Sequence, residues 1–282
     1  MRIDVRCAGR SSQANTARRR LLVANHSRAV HPRLLGWTSG RGLAPKKKVN
    51  MIELVALDVA GTTVDDHGLV YVALTDSVRE TGASISEADV QLWMGTDKVT
   101  AIAGLLGLGG VSPDPATVAA AFGRFREILA SAYQATPPVA LPGVENALRE
   151  FRARGIRVAL TTGFPDDVAV PLLESLGWAV GDGIGNDSDI RIDALVTSSE
   201  VALGRPAPYL IQHAMEKTGI VDVATVLAAG DTVVDLLAAH NAGVIGVGVL
   251  TGKLSRAELE AHPHHHILPS VVDILTLREA RR

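Results

Sequence analysis

From Met51 onward, outside residues 68–138, the chain alternates short apolar runs with helical segments and shows no internal sequence repeat. The runs are Met51–Asp58, Ile156–Leu160, Ala194–Thr197, Thr225–Ala229 and Val244–Val249. Segments 142–154, 166–177, Pro206–Thr218 and Thr232–Ala242 carry the helical period, the third with proline in its first turn and Gly219 after its end. Strands separated by helices imply a parallel sheet whose crossovers cover both faces. The expected class is α/β, a Rossmann-like parallel sheet core with helices on both faces.

Between about 68 and 138 the alternation stops. Leu69–Thr81, Ser86–Met94, Thr96–Leu106 and Ala116–Tyr133 all read as helices, and Pro137-Pro138 marks the return to the core. Such a block predicts an inserted all-helical domain at 68–137, within a core made of 51–67 and 138–282.

Charge separates the first fifty residues from the rest. They hold twelve Lys and Arg against one acid, Asp4, whereas the remainder holds 16 basic and 29 acidic side chains. We read 1–50 as a disordered tail, of the kind an upstream translation start ahead of a true start at Met51 would add. A transit-like targeting segment and a basic nucleic-acid-binding arm are the competing readings. Trp37 is the extension's single base-stacking aromatic, so no nucleic-acid partner is expected. The one cysteine, Cys7, excludes an intramolecular disulfide. No apolar run reaches the ~18 residues a membrane helix needs, so no membrane partner is expected and the cytoplasm is the default location.

In an open parallel sheet, ligands bind at the carboxyl ends of the strands. One strand ends in Asp58-Val59-Ala60-Gly61-Thr62-Thr63-Val64-Asp65, another in Thr161-Thr162-Gly163, and a later one in Gly230-Asp231-Thr232-Val233-Val234-Asp235. Asp231 and Asp235 are four apart, so a helix starting there would place them on one face. With Asp58 they form a carboxylate cluster that calls for a hard cation, and oxygen ligands suit Mg²⁺. Gly204-Arg205-Pro206 adds a fixed cation before a helix. A single Asp at a strand end is usually a cap or a solvated turn; the order of all these features on this pattern carries the argument. His262, His264, His265 and His266 are read as a solvated segment at a sheet edge, since four adjacent imidazoles cannot all face one ion.

The Asp58 motif, the Thr161 strand end, Arg205 and the Gly230–Asp235 motif resemble the four motifs of the haloacid dehalogenase superfamily, over about residues 51–275. The helical insertion is similar to that superfamily's small cap. Ala60 in place of the usual second Asp, Arg205 in place of the usual Lys, and Met94-Gly95-Thr96-Asp97-Lys98 in the cap resemble the phosphonoacetaldehyde hydrolase (phosphonatase) family and its phosphonatase-like relatives. The resemblance implies that Asp58 attacks phosphorus and that Lys98 forms a Schiff base with the substrate carbonyl. It implies Mg²⁺ held by Asp58, the Ala60 carbonyl and Asp231, with Asp235 acting through the water shell. Arg205, Thr161 and the backbone of the Gly61 turn would hold phosphoryl oxygens, and Gly61, Thr62, Met94, Thr162 and Gly163 would contact the substrate. A small-molecule phosphonate or phosphate substrate and a homodimer are also implied.

Ala60 cannot transfer a proton, so ester cleavage would lack its usual general acid. A carbon leaving group needs an electron sink instead, and an iminium on Lys98 would be one. Thr96 as N-cap would put Lys98 in the first helical turn, where the helix dipole lowers an ammonium pKa. Two positions depart from the family: Ala101 stands where it has a His, and Phe164 where it has a Tyr. Both changes would remove polar groups from the substrate pocket and point to a different 2-oxoalkylphosphonate. His67 is a candidate replacement for the missing imidazole, against a plainer reading as an exposed loop His. The competing functions are a phosphomonoesterase of the same superfamily, with Asp65 as its acid, and a non-catalytic phosphate-binding module.

Overall fold

The structure is a computed structural model and describes residues 51–181 and 190–281. The basic extension lies outside the described residues.

The elements follow in chain order. Strand β1 (Leu54–Asp58) leads through a turn to β2 (Val64–Asp65), and then come helices α1 (Leu69–Arg79), α2 (Glu87–Gln91), α3 (Lys98–Leu108) and α4 (Pro115–Ala135). After β3 (Val139–Ala140) run α5 (Val144–Ala153), β4 (Arg157–Thr161), α6 (Asp166–Ser175), β5 (Ala179–Val180), β6 (Arg191–Ile192) and β7 (Ala194–Val196). The chain finishes with α7 (Tyr209–Thr218), β8 (Val226–Gly230), α8 (Val233–Ala242), β9 (Ile245–Val249), α9 (Arg256–Glu260) and β10 (His266–Leu268).

Six strands form one sheet in the order β10-β9-β8-β1-β4-β7, and every neighbouring pair is parallel. The expected α/β class is what the chain adopts. Strand β1 shows why its run is apolar at every position. Leu54 and Ala56 pack on one face with Leu210, Ile211 and Ala214 of α7 and Ala238 and Ala239 of α8. Val55 and Leu57 pack on the other, with Ala147, Leu148 and Phe151 of α5 and Leu172 of α6. A strand covered on both sides has no position for a solvated residue until its end. Burying one such Leu or Val contributes about 1.5–3 kcal/mol.

The segment between β2 and β3 is helical, as expected. Its two ends come together because Val64 pairs with Ala140 and Asp65 with Val139 in an antiparallel ribbon. This ribbon was not anticipated: two residues per strand are too few to show a period. Helices α1, α3 and α4 bury Leu74, Ile102, Leu105, Phe125 and Leu129 in the same apolar cluster as one face of the sheet.

Two local expectations are corrected. Helix α3 is capped by Asp97, whose carboxylate accepts from the Thr100 amide at 2.9 Å, and not by Thr96. Helix α7 begins at Tyr209, and Pro206 precedes it in a turn closed by Ala207 N to Gly204 O. Two prolines within three residues remove two backbone donors there, so the chain turns before it coils. Strand β10 lies at the sheet edge, His264 is exposed, and the ring of His265 accepts from the Gly246 amide at 3.0 Å. The histidine segment is edge structure. No helix among the described residues is long and apolar enough to cross a membrane.

Candidate active site

The carboxyl ends of β1, β4 and β8 bring the polar strand ends together. Asp58 pairs in register with Thr161 on the neighbouring strand, so both side chains leave the sheet at one edge. Arg205 reaches that edge from the turn before α7. Its Nη1 donates to Asp58 Oδ1 at 2.6 Å, its Nη2 donates to the Thr161 carbonyl and hydroxyl at 2.8 and 2.9 Å, and its Nε forms an ion pair with Asp235 Oδ1 at 2.8 Å. All four residues are buried.

Asp231 and Asp235 do not share a helical face. Helix α8 starts at Val233, with Thr232 as N-cap, so Asp231 is still at the strand end. Asp235 is the third residue of the helix, where its carboxylate accepts from the Thr232 amide at 3.1 Å and from the Thr232 hydroxyl. Asp231 accepts from the Thr62 hydroxyl at 2.9 Å. A Cβ added to Gly61 would stand 2.6 Å from Asp231 Oδ2, and Gly61 has a left-handed φ of 84°, so only glycine serves there. A Cβ on Gly252 would collide with the same carboxylate. The Gly61 amide donates to the Val64 carbonyl at 2.8 Å and the Thr62 amide to Val59 at 3.3 Å, so both are spent within the turn.

Electrostatics mark the edge as a charged site in a dry place. Burial raises the Asp58 pKa to about 6; Arg205 works against the shift and Asp235 adds to it. Burial, then repulsion from Asp58 and Asp235, holds Asp231 well above the carboxylate range. Among the described residues, no three His, Cys, Asp or Glu side chains stand together as a preformed ion cage. The donor set still fits a hard divalent cation: two mutually repelling, desolvated carboxylates, with Ala60 in the pocket wall beside Asp58 and glycines leaving room around Asp231.

Lys98, the first residue of α3, points into this site. It is buried, its Nζ donates to the Thr96 carbonyl at 3.1 Å, and it lies 5.5 Å from the centre of the Phe164 ring. Its pKa falls to about 8, chiefly through burial, with Arg205 contributing and Asp58 and Asp97 opposing. Desolvation therefore does most of what sequence reasoning assigned to the helix dipole. The turn that carries Lys98 rests directly on the sheet edge. A Cβ on Gly95 would collide with the Thr232 side chain, and one on Gly163 would stand 3.0 Å from the Thr96 carbonyl.

A small pocket of about 20 Å³ joins these groups, and it is lined by Asp58, Ala60, Lys98, Thr162, Gly163, Phe164 and Arg205. Gly95, Thr232, Val70 and Tyr71 complete its wall. Room of that size holds about one water. Thr161 is occupied with Arg205 and does not line the pocket, and Met94 lines an adjoining cavity of about 540 Å³. Ala101 is buried in the apolar cluster, away from the pocket wall. His67 Nε2 stands 3.3 Å from the Pro137 carbonyl, and Asp65 accepts from the His67 amide at 2.8 Å; neither lines the pocket.

Sequence reasoning passed over Tyr71. Its hydroxyl is held above the ordinary phenol range by burial and by the charges of Asp231, Asp58, Asp66 and Asp235. An aromatic residue in an amphipathic helix gives no signal that its polar end faces a site.

Residues 52–243 match the family model of the haloacid dehalogenase-like hydrolases. A phosphonoacetaldehyde hydrolase of Syntrophobacter fumaroxidans is 30% identical over 232 residues, which is 75% of this chain and 78% of that protein. One from Bacteroides fragilis is 29% identical over 230 residues, 76% and 81% of the two chains. Among solved structures, a phosphonoacetaldehyde hydrolase-like protein from Oleispira antarctica superposes with a TM-score of 0.68 at 21% identity, covering 81% of this chain and 91% of that one.

Proposed function

The chain belongs to the haloacid dehalogenase-like hydrolases, and from that premise we propose that it cleaves the carbon–phosphorus bond of phosphonoacetaldehyde or a related 2-oxoalkylphosphonate. The observation that carries this reading is Lys98. A buried lysine with a pKa near 8, in one pocket with Asp58 and with Ala60, is suited to act as an amine nucleophile.

The substrate would sit between the sheet edge and a helical cap spanning 68–137. Lys98 condenses with the carbonyl and loses water, leaving an iminium that draws electrons from the carbon–phosphorus bond. Asp58 attacks phosphorus and takes the phosphoryl group as an aspartyl-phosphate. Arg205 keeps Asp58 aimed and offers positive charge beside the transferring group. Thr161 fixes the guanidinium plane through two acceptors. Thr162, Gly163 and Phe164 line the pocket with Asp58 and Lys98; in this reading the first two would meet the phosphoryl group and the Phe164 ring the organic part. Gly61 and Thr62 act through Asp231, one by leaving room for it and the other by bonding it. Water then hydrolyses the aspartyl-phosphate and the imine. Asp58, the Ala60 carbonyl and Asp231 would hold Mg²⁺, with Asp235 behind them, and the ion when bound neutralises charge building on the phosphoryl oxygens.

A phosphomonoesterase of the same superfamily is the competing reading. The acid it would need, Asp65, is bonded to the His67 amide and lies off the pocket wall. Borohydride trapping with phosphonoacetaldehyde and Mg²⁺, followed by peptide mass spectrometry and a phosphate assay, separates the two. A reduced adduct on Lys98 with phosphate release supports the phosphonatase. Phosphate from esters alone, with no adduct, overturns it.

A further inference from the structure

Tyr71 stands on α1 in the wall of the pocket that holds Asp58, Ala60 and Lys98. The other polar side chains of that wall have partners. Arg205 bonds Asp58, Thr162 accepts from the Phe164 amide at 3.1 Å, Thr232 bonds Asp235, and Lys98 donates to Thr96. The Tyr71 hydroxyl has none among the described residues. Its ring is nevertheless held in place. Lys253 Nζ lies 5.0 Å from the ring centre, and the loop carrying Lys253 is tied to the site by Thr251 Oγ1 donating to the Gly61 carbonyl at 2.6 Å. A positioned donor without an acceptor, in a pocket wall, is a group awaiting a ligand atom.

The direction of attack says which atom. In a phosphoryl transfer the attacking and leaving atoms stand roughly in line through phosphorus. Asp58 enters the pocket from the end of β1; Tyr71 and Lys98 enter it from α1 and α3 of the helical segment. The leaving atom therefore faces Tyr71 and Lys98. Ala60 has no proton to give it, and neither does Ala101 or Phe164.

We infer that the Tyr71 hydroxyl is the proton donor to the leaving group, filling the role that Ala60 leaves open; this rests on the reading of Asp58 as the attacking group. When the carbon–phosphorus bond breaks, its electron pair passes into an enamine on Lys98. The terminal carbon takes the proton of Tyr71, which restores the iminium, and the phenolate recovers a proton from water. Hydrolysis of the iminium then releases the aldehyde and frees Lys98. With an alkyl phosphate ester the same proton would go to the departing oxygen. A phenol is protonated at neutral pH, so the donor is always loaded.

Tyr71→Phe tests this, because it deletes the hydroxyl and keeps the ring against Lys253. Wild type and variant are compared on phosphonoacetaldehyde and on ethyl phosphate, both with Mg²⁺, following phosphate and aldehyde or alcohol separately. On phosphonoacetaldehyde the variant should still give the borohydride adduct on Lys98 and about one phosphate per site in the first turnover. Its kcat should fall by roughly 10²-fold, with aldehyde lagging behind phosphate. On ethyl phosphate any wild-type turnover should fall by a similar factor. A variant within about twofold of wild type on every substrate that wild type uses overturns the inference. So does loss of the Lys98 adduct, since Tyr71 would then act on imine formation. Wild type releasing phosphate from neither substrate would instead sink the reading of Asp58, a result that the wild-type arm reports by itself.

Discussion

Arg205 Nη1 stands 2.6 Å from Asp58 Oδ1, and both groups are buried. The same guanidinium reaches Thr161 on β4 and Asp235 on α8, so one side chain joins the ends of two strands to the start of a helix. Planar, forked donors suit this task, and a point-charge ammonium could not span three acceptors in one plane. The pair explains how an aspartate in a dry site keeps its charge at neutral pH although burial raises its pKa to about 6.

Arg205→Met should therefore destabilise the fold. It would leave Asp58 and Asp235 buried without their cation, and breaking a buried pair costs about 3–5 kcal/mol. Urea unfolding at neutral pH, with a chelator present, should show a loss of about 3 kcal/mol. A raised carboxylate pKa means that the folded state binds protons more readily than the unfolded chain, so stability is present at low pH and lost as pH rises through the folded value. The deficit of the variant should accordingly shrink toward pH 4, where Asp58 is protonated in both proteins. A deficit under about 1 kcal/mol, the worth of an exposed pair, would contradict the dry site.

Lys98 sets a pH dependence of the opposite kind. Its amine is free above about 8 and protonated below. The rate of borohydride-trapped adduct formation should rise through a midpoint near pH 8 and then level off. Stability follows the same direction. The folded state holds fewer protons than the unfolded chain between about 8 and the usual lysine value, so the penalty of burying Lys98 is relieved as pH climbs through that window. Lys98→Met should remove this rise in stability and abolish the adduct. A trapping midpoint above pH 10 would show an unperturbed, solvated lysine.

Ala60→Asp should exchange one chemistry for the other. Ala60 lines the pocket together with Asp58, Tyr71 and Lys98, so a carboxyl there would share that pocket with the leaving group of the proposed reaction. Hydrolysis of alkyl phosphate esters should rise by about 10²-fold, the usual worth of a general acid. Phosphonoacetaldehyde cleavage should fall, because the added charge pairs with the Lys98 ammonium and raises its pKa. Ester hydrolysis that stays unchanged would mean that the leaving atom does not pass position 60.

Much of this was legible in the sequence. The apolar runs close on polar residues, and that pattern places Asp58, Thr161 and Asp231 at one edge. The all-helical character of 69–135 also shows in its period. What escaped depends on tertiary contact. The spacing of Asp231 and Asp235 implied a shared helical face, yet Thr232 caps the helix between them and the two meet the site by different routes. The position of Lys98 in a first helical turn points to the dipole as the cause of its lowered pKa, whereas burial is the largest cause. Gly95, Gly163 and Gly252 matter through what a Cβ would strike, which no linear pattern records.

Gly252 supplies the most local test of the carboxylate site. It stands in the loop after β9, and its backbone passes so close to Asp231 that a Cβ would collide with the carboxylate. Loop and turn are joined by Thr251 Oγ1 donating to the Gly61 carbonyl at 2.6 Å, so the loop cannot retreat without breaking that bond. Gly252→Ala should then push Asp231 aside and leave the sheet intact, since Gly252 lies outside β9. Calorimetric titration should show Mg²⁺ affinity reduced by at least about 10-fold, the usual cost of disturbing a ligand's support. The circular dichroism spectrum should not change. Lys98 lies across the pocket on α3, so borohydride trapping should survive while phosphate release falls with the metal affinity. Unchanged Mg²⁺ binding in Gly252→Ala would mean that Asp231 does not hold the ion where its neighbours place it.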